Sequence, residues 1–338
     1  MIKEKENILF YGLNQNSPAY KFYCQSFSKL EKYNLDFNLD YKKINSGFYK
    51  FIFLHTGYKK KININLIEKK TKMILVEPRP GHHNDVDKFD FIIVNSFETK
   101  LFYSKYKKPS IIYPPVYEYD NPEIKKKDDN ILRFIYHGNS KHIGYFRKKL
   151  EFVLNNIQTN KKKELHLIYD LKNKKIKIGD NCKEIAIYHH KHSHEKIEEI
   201  LSKGGIGLVP QLIPENRSLF HLLSFIKFIK FFGELKNEYI LRFKENSNLG
   251  RHLVFSQFKI PFVTEPTMSS CLFLNEKWKK FLSYNQYDWL NSVQFLIDNP
   301  DEMEKFRNDL HDNWKENFSH KVLNLKLTKK IERLYENT

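Results

Sequence analysis

The sequence predicts an α/β protein of two consecutive Rossmann-like domains followed by C-terminal helices. Three observations predict it. Short apolar runs alternate with helix-like stretches along the chain, and runs of that length bounded by Gly, Pro or Asn suit strands buried on both faces of a parallel sheet. The alternation stops at a polar stretch near residue 120 and then restarts. The 338 residues suffice for two domains of ordinary size.

In the first domain (1–120), Ile8 to Gly12 reads as a buried strand ending in a glycine turn, and Tyr20 to Leu30 as a helix. Phe51–His55, Met73–Val76, Phe89–Asn95 and Ser110–Tyr113 read as further strands, with a helix from Phe97 to Tyr106 between the last two. Val116 to Asn130 is polar, lacks apolar periodicity and holds Pro122, so a linker is assigned to 121–130. In the second domain (131–287), Leu132–His137 is a strand, Gly144–Asn156 a helix, and Leu165–Tyr169 and Ile185–Tyr188 are strands. Helix His194–Ser202, strand Ile206–Pro210, helix Leu249–Phe258 and strand Pro261–Thr264 follow. From Asp288 to the end the chain is helical but broken near Pro300, with Leu290, Val293 and Ile297 before it and Met303, Phe306 and Leu310 after it at helical spacing.

Ser218–Phe232 departs from this rhythm, being apolar except at Ser218, His221, Ser224, Lys227 and Lys230. It reads as a core helix or as an in-plane helix on an anionic membrane surface. No run reaches the roughly 18 apolar residues of a membrane-spanning helix, and no signal-peptide pattern opens the chain. A cytoplasmic protein, at most attached to the inner face of a membrane, is expected. Cys24, Cys182 and Cys271 form neither a CxxC pair nor a disulfide framework.

Lys+Arg 58 against Asp+Glu 40 gives a net charge of +18, which suits anionic partners. Alanine occurs only at Ala19 and Ala186 while Lys, Asn, Ile, Tyr and Phe are heavily used; those five have A/T-rich codons, so part of the basicity records genome composition. There is no GxGxxG after the first strand and no GxxxxGK[ST], which removes the usual phosphate cradles of dinucleotide and P-loop enzymes. His189, His190, His192 and His194 cluster without metal-ligand spacing and read as a solvated loop or a phosphate-touching patch; no metal and no cofactor are expected.

Open α/β sheets bind ligands beyond the carboxyl ends of their strands. There the second domain carries Gly138, Asn139 and Lys141, followed by a helix bearing Arg147. A glycine turn before a helix offers backbone N–H groups to an anion, and the two cations suit a diphosphate. Lys244, Glu245, Asn246, Ser247, Asn248 and Arg251 precede the helix His252–Phe258. They combine phosphate donors with a carboxylate and amides able to hold ribose hydroxyls. Glu77 and His82, in the segment Glu77–Pro78–Arg79–Pro80–Gly81–His82, bring a carboxylate and an imidazole to the end of a strand and are candidate general bases.

This layout resembles the GT-B glycosyltransferases, in particular the nucleotide-sugar-dependent group 1 superfamily. Phe91–Ser96 with Ile111–Pro115 is similar to the end of that family's N-terminal domain, and Arg133–Gly138 with Lys141 and Arg147 to the opening of its C-terminal domain. Ile206–Gln211 resembles the strand before the donor loop, Leu253–Glu265 the block closing the donor site, and Trp289–Leu334 the C-terminal helices. The family often carries two glutamates with seven residues between them in that block; they would fall on Asn246 and Val254, so the chain departs from the pattern there.

The resemblance implies two Rossmann-like domains facing across a cleft, with helices 288–338 at the end, the last returning to the N-terminal domain. It implies transfer of a sugar from a nucleotide-sugar donor to a glycan, surface-polysaccharide or lipid-linked acceptor without a metal. The donor would bind the second domain, and the acceptor Gly12, Asn14, His55 and Arg79 of the first. The alternatives are a basic nucleic-acid-binding or scaffold protein, disfavoured because the lysines are dispersed and no recognition motif is present, and another two-Rossmann enzyme such as a sugar-nucleotide epimerase.

Overall fold

Runs such as Phe51–Leu54 and Phe91–Val94 are buried at every position, as a parallel strand covered on both faces requires. The computed structural model describes residues 5–55, 58–78, 83–120, 122, 128–171, 178, 182, 184–211 and 248–336, without the side chains of His83, Asn84 and Lys141. The chain divides into two units, residues 1–117 with 317–338, and residues 118–316.

The first unit contains β1 (Glu6–Tyr11), α1 (Pro18–Phe27), β2 (Tyr33–Asp36), α2 (Tyr41–Asn45), β3 (Phe51–Leu54), β4 (Lys72–Val76), β5 (Phe91–Val94), α3 (Phe97–Ser104) and β6 (Ser110–Ile112). All six strands are parallel, in the order β2-β1-β3-β4-β5-β6. The order reverses direction between β1 and β3, where Gly12 and His55 follow the strand ends. Sequence caps start the helices: Ser17 accepts from Tyr20 N–H ahead of Pro18, and Ser96 accepts from Thr99 N–H. The chain's last helix (His320–Glu336) adds Leu323, Leu327 and Ile331 to the core made by Phe10, Tyr23, Phe27 and Phe53.

The second unit contains β7 (Ile131–Gly138), α4 (Ser140–Asn156), β8 (Lys162–Tyr169), β9 (Ile185–Lys191), α5 (His194–Leu201), β10 (Ile206–Val209), α6 (Gly250–Gln257), β11 (Phe262–Thr264), α7 (Met268–Phe273), α8 (Gln286–Asp298) and α9 (Pro300–Asn317). The final helix, His320–Glu336, is α10. The sheet is parallel, ordered β11-β10-β7-β8-β9. Its direction reverses between β7 and β10, so Gly138 and Pro210–Gln211 sit at the switch point. Asn299 ends α8 and Pro300 opens α9, which is the break the proline predicts.

Three local readings change. Tyr33–Asp36 is a strand that the sequence pattern did not reveal, its alternation being masked by Asn34 and Asp36. His189 and His190 lie in β9 instead of a loop, because the strand continues through them alongside β8. Val116 and Tyr119, at the start of the polar stretch, are buried. The Ser218–Phe232 segment lies outside the described residues, and among those described no helix is long and apolar enough to cross a membrane.

Candidate functional site

At the switch point of the second unit, β7 ends in Tyr136–His137–Gly138. Gly138 has φ +133°, a conformation open to glycine but strained for other residues. A Cβ there would sit 3.3 Å from Tyr136 Oη and 3.5 Å from Arg251 Cδ, so the turn is also filled. Tyr136 Oη donates to the Asn139 carbonyl (2.6 Å), which fixes the turn. Burial pushes the Tyr136 hydroxyl up to about 12, opposed by the nearby Arg251 charge, so it stays a donor.

Arg251 enters from the first turn of α6. Its Nη2 donates to Gln211 Oε1 (3.1 Å), and its guanidinium lies 5.7 Å from the Tyr136 ring centroid. Nη2 is also 3.2 Å from His142 Nδ1, itself 3.1 Å from the Pro210 carbonyl; one ring nitrogen serves one of these partners, and the tautomer selects which. Nη1 is buried without a hydrogen-bond partner among the described residues. Burial lowers the Arg251 pKa, partly offset by Tyr136 and Glu265, but arginine remains charged near neutrality. A buried cationic N–H without an acceptor is costly unless something completes it. His137, beside it, is held well below the ordinary histidine range by burial, with Arg251 and His192 adding to the effect; it is a neutral imidazole.

Behind the guanidinium lies a buried carboxylate. Glu265, directly after β11, accepts from the Gln211 N–H at Oε2 (2.5 Å) and from Lys149 Nζ at Oε1 (3.0 Å). Lys149 also donates to the Tyr284 carbonyl (2.6 Å). His252 anchors α6 to this strand, its Nε2 3.1 Å from both Thr264 Oγ1 and Ser270 Oγ. Gly138, Asn139, Gln211, Arg251 and Glu265 thus form one connected cluster at the strand ends.

The remaining expected donor residues fare differently. Arg147 is about half exposed and pairs with Glu151 at 3.7 Å. Asn248 is exposed and accepts from the Gly250 N–H, while Leu249 occupies the cap position of α6. Lys141 is placed in the first turn of α4 by its backbone alone, and Lys244, Glu245, Asn246 and Ser247 lie outside the described residues. Lys149, Gln211 and Glu265 were not picked out by the sequence. Lys149 could have been: residues 147 and 149 are about 200° apart on a helix, so only one of them can face the sheet.

In the first unit, Gly12, His55 and Glu77 meet at the carboxyl ends of β1, β3 and β4. A Cβ on Gly12 would lie 2.9 Å from the Tyr20 ring and 3.1 Å from His55 Cβ. Glu77 is buried and has φ +47°, a strained value for a non-glycine residue. Its Oε2 is 3.4 Å from His55 Nε2, and its Oε1 accepts from Asn95 Nδ2 (3.2 Å). Asn95 Oδ1 in turn accepts from Thr99 Oγ1 (3.1 Å). Asn14 is exposed, its carbonyl accepting from Ser17 N–H; Arg79 and His82 lie outside the described residues. Among the described residues, no group of three His, Cys, Asp or Glu could hold a metal ion.

No protein-family profile and no curated protein sequence matches the chain. Solved structures do. A glycosyltransferase from Rickettsia africae aligns with a TM-score of 0.66 at 9% identity, over 99% of this chain and 100% of its own. Anabaena HepE in complex with UDP and glucose gives 0.61 at 9% identity, over 97% of this chain and 100% of its own. An S. aureus TarM mutant in complex with Fondaparinux, alpha-GlcNAc-glycerol and UDP gives 0.58 at 12% identity over 84% of this chain, which spans about half (55%) of the TarM length. With its two parallel-sheet α/β units and its terminal helices, the chain matches these proteins in architecture and has the GT-B fold.

Proposed function

We propose that the chain is a metal-independent glycosyltransferase that moves a sugar from a nucleotide-sugar donor to a glycan, surface-polysaccharide or lipid-linked acceptor. The observation that carries the reading is the buried Arg251 guanidinium at the switch point of the second unit, with Nη1 lacking a partner among the described residues. Such a group calls for an anion, and a donor's diphosphate supplies one. The HepE and TarM structures that align with the chain hold UDP, one with glucose and the other with a glycoside and an oligosaccharide.

In this reading the diphosphate lies at the Gly138–Asn139 turn, at the end of β7, and accepts from Arg251. As the bond between the sugar's anomeric carbon and the phosphate oxygen breaks, negative charge grows on the leaving group beside a fixed cation. Glu265 holds the Gln211 backbone and, with Lys149, the base of the site. In the first unit Glu77 takes the acceptor proton if the reaction inverts, with His55 and Asn95 fixing its carboxylate. A cytoplasmic location and contact of Ser218–Phe232 with an anionic membrane belong to the same proposal and rest on the sequence alone.

Thermal-shift screening against UDP, GDP, CMP and their sugars tests it, because a ligand of the folded state alone raises the midpoint. One nucleotide should do so. Arg251→Ala should weaken that nucleotide about 10- to 100-fold, the worth of a charged hydrogen bond, and Glu77→Gln should spare nucleotide affinity while lowering transfer. Equal nucleotide affinity in Arg251→Ala, or no response to any nucleotide, would overturn the reading. Product analysis separates transfer from epimerisation, which needs no acceptor.

A further inference from the structure

At the opposite end of α6 from Arg251, the second unit holds an open pocket of about 630 Å³, within the roughly 300–1,000 Å³ of small-molecule sites. One wall is the segment around Tyr119, which is pinned in place. The Tyr119 N–H donates to Gln257 Oε1 (2.9 Å), and its ring meets Phe258 edge-on at 4.9 Å between centroids. The opposite wall is α9, which presents His311 and Trp314 one turn apart. His311 Nδ1 donates to the Ser256 carbonyl (3.2 Å), and the two rings lie 5.3 Å apart. The Trp314 indole is half-buried, and its Nε1 is buried with no partner among the described residues. A buried indole N–H ordinarily has an acceptor.

Four charged side chains complete the lining: Glu118, Asp120, Lys259 and Lys315. Two carboxylates and two ammonium groups cancel, although the chain as a whole carries +18. An anionic ligand would face both carboxylates and a cationic one both lysines, and an apolar one would leave the buried indole N–H without an acceptor. A neutral molecule rich in hydroxyls meets every requirement. Its hydroxyl hydrogens serve the carboxylates, its oxygens accept from the ammonium groups and the indole N–H, and the C–H face of a sugar ring covers the aromatic surface.

We propose that this pocket binds a neutral glycan, with a sugar ring packed on Trp314 and a hydroxyl accepting from its Nε1. The site is separate from the Arg251 cluster and does not depend on the chain being a transferase.

Trp278 and Trp289 are fully buried, so of the three tryptophans Trp314 is the one a ligand can reach. The full chain is titrated with maltose, cellobiose and N,N′-diacetylchitobiose, followed by tryptophan fluorescence and by calorimetry. At least one disaccharide should give a saturable change in both, with Kd on the order of 1 mM. By calorimetry, Trp314→Phe, which keeps a ring but lacks the N–H, should weaken binding about 2- to 10-fold; Trp314→Ala should abolish it. A cooperative melting transition without ligand, read on the same samples, shows that both variants fold, and any nucleotide-induced thermal shift should be unchanged in them. No saturable response to any of the three sugars, or undiminished affinity in Trp314→Ala, overturns the proposal. Either result leaves the nucleotide test standing, so the two readings fail separately.

Discussion

Glu265 and His252 show how single residues hold the strand ends of the second unit. Glu265 is a buried carboxylate satisfied by one ammonium and one backbone N–H, and removing either member of a buried ion pair costs about 3–5 kcal/mol by stranding the other. His252 is fully buried and neutral: burial, with a smaller contribution from Arg251, lowers its pKa to about 3 from 6.5. The unfolded chain therefore binds a proton below about pH 6.5 that the folded chain refuses, and stability falls as pH drops through that window towards 3. At pH 5.5, one unit below the unfolded value, His252 alone accounts for about 1.4 kcal/mol of loss. His252→Gln, which keeps a nitrogen near Thr264 and Ser270, should flatten the decline in urea midpoint between pH 7.5 and 5.5 by about that amount relative to the wild type. An unaltered slope would mean that His252 is charged in the fold. Gly138 and Arg251, which meet at the strand ends, stood out in the sequence because a glycine turn and a cation before a helix carry local signals. Glu265 and Lys149 did not, because their roles arise only when β11 and α4 are brought together.

The elements extend this lesson. Strands with uniformly apolar sequence, such as β3 and β5, were legible, since burial on both faces leaves one reading open. β2 and the histidine-bearing end of β9 were not, because edge strands carry polar residues that propensity assigns to loops. The last helix, α10, was legible as a helix, yet its Leu323, Leu327 and Ile331 face residues roughly three hundred positions earlier. Its attachment is polar as well: Asn324 donates to the Ser26 carbonyl (2.8 Å) and accepts from Tyr113 Oη (2.6 Å). Leu327 is completely buried, so Leu327→Ala should cost about 2–5 kcal/mol in urea unfolding, through lost burial and the cavity left behind. A cost below about 1 kcal/mol, the level of a surface change, would mean that α10 does not complete the core of the first unit.

At the scale of the whole molecule, charge is the property that no single contact explains. Lys+Arg exceed Asp+Glu by 18, and like charges confined to a folded volume repel one another, which destabilises the compact state. Salt acts on this in two opposing ways. It weakens exposed ion pairs such as Lys277–Asp309 and Lys203–Glu199, each worth about 0–1 kcal/mol and losing only part of that. It also screens the repulsion among all the excess cations, since the Debye length shrinks from roughly 20–30 Å near 0.01–0.02 M to about 8 Å at 0.15 M. The first effect is local and confined to charges that have partners, whereas the second sums over every unbalanced lysine, so the second wins. Raising sodium chloride from about 20 to 150 mM should therefore lift the thermal midpoint by several degrees, by shortening the range of that repulsion. Chloride is the right anion for the measurement, because phosphate or sulfate could also occupy the Arg251 cluster and stabilise the fold by binding. A midpoint that falls with added chloride would show that the excess lysines are balanced by nearby carboxylates, and that the ion pairs, not the net charge, govern the stability of the folded chain.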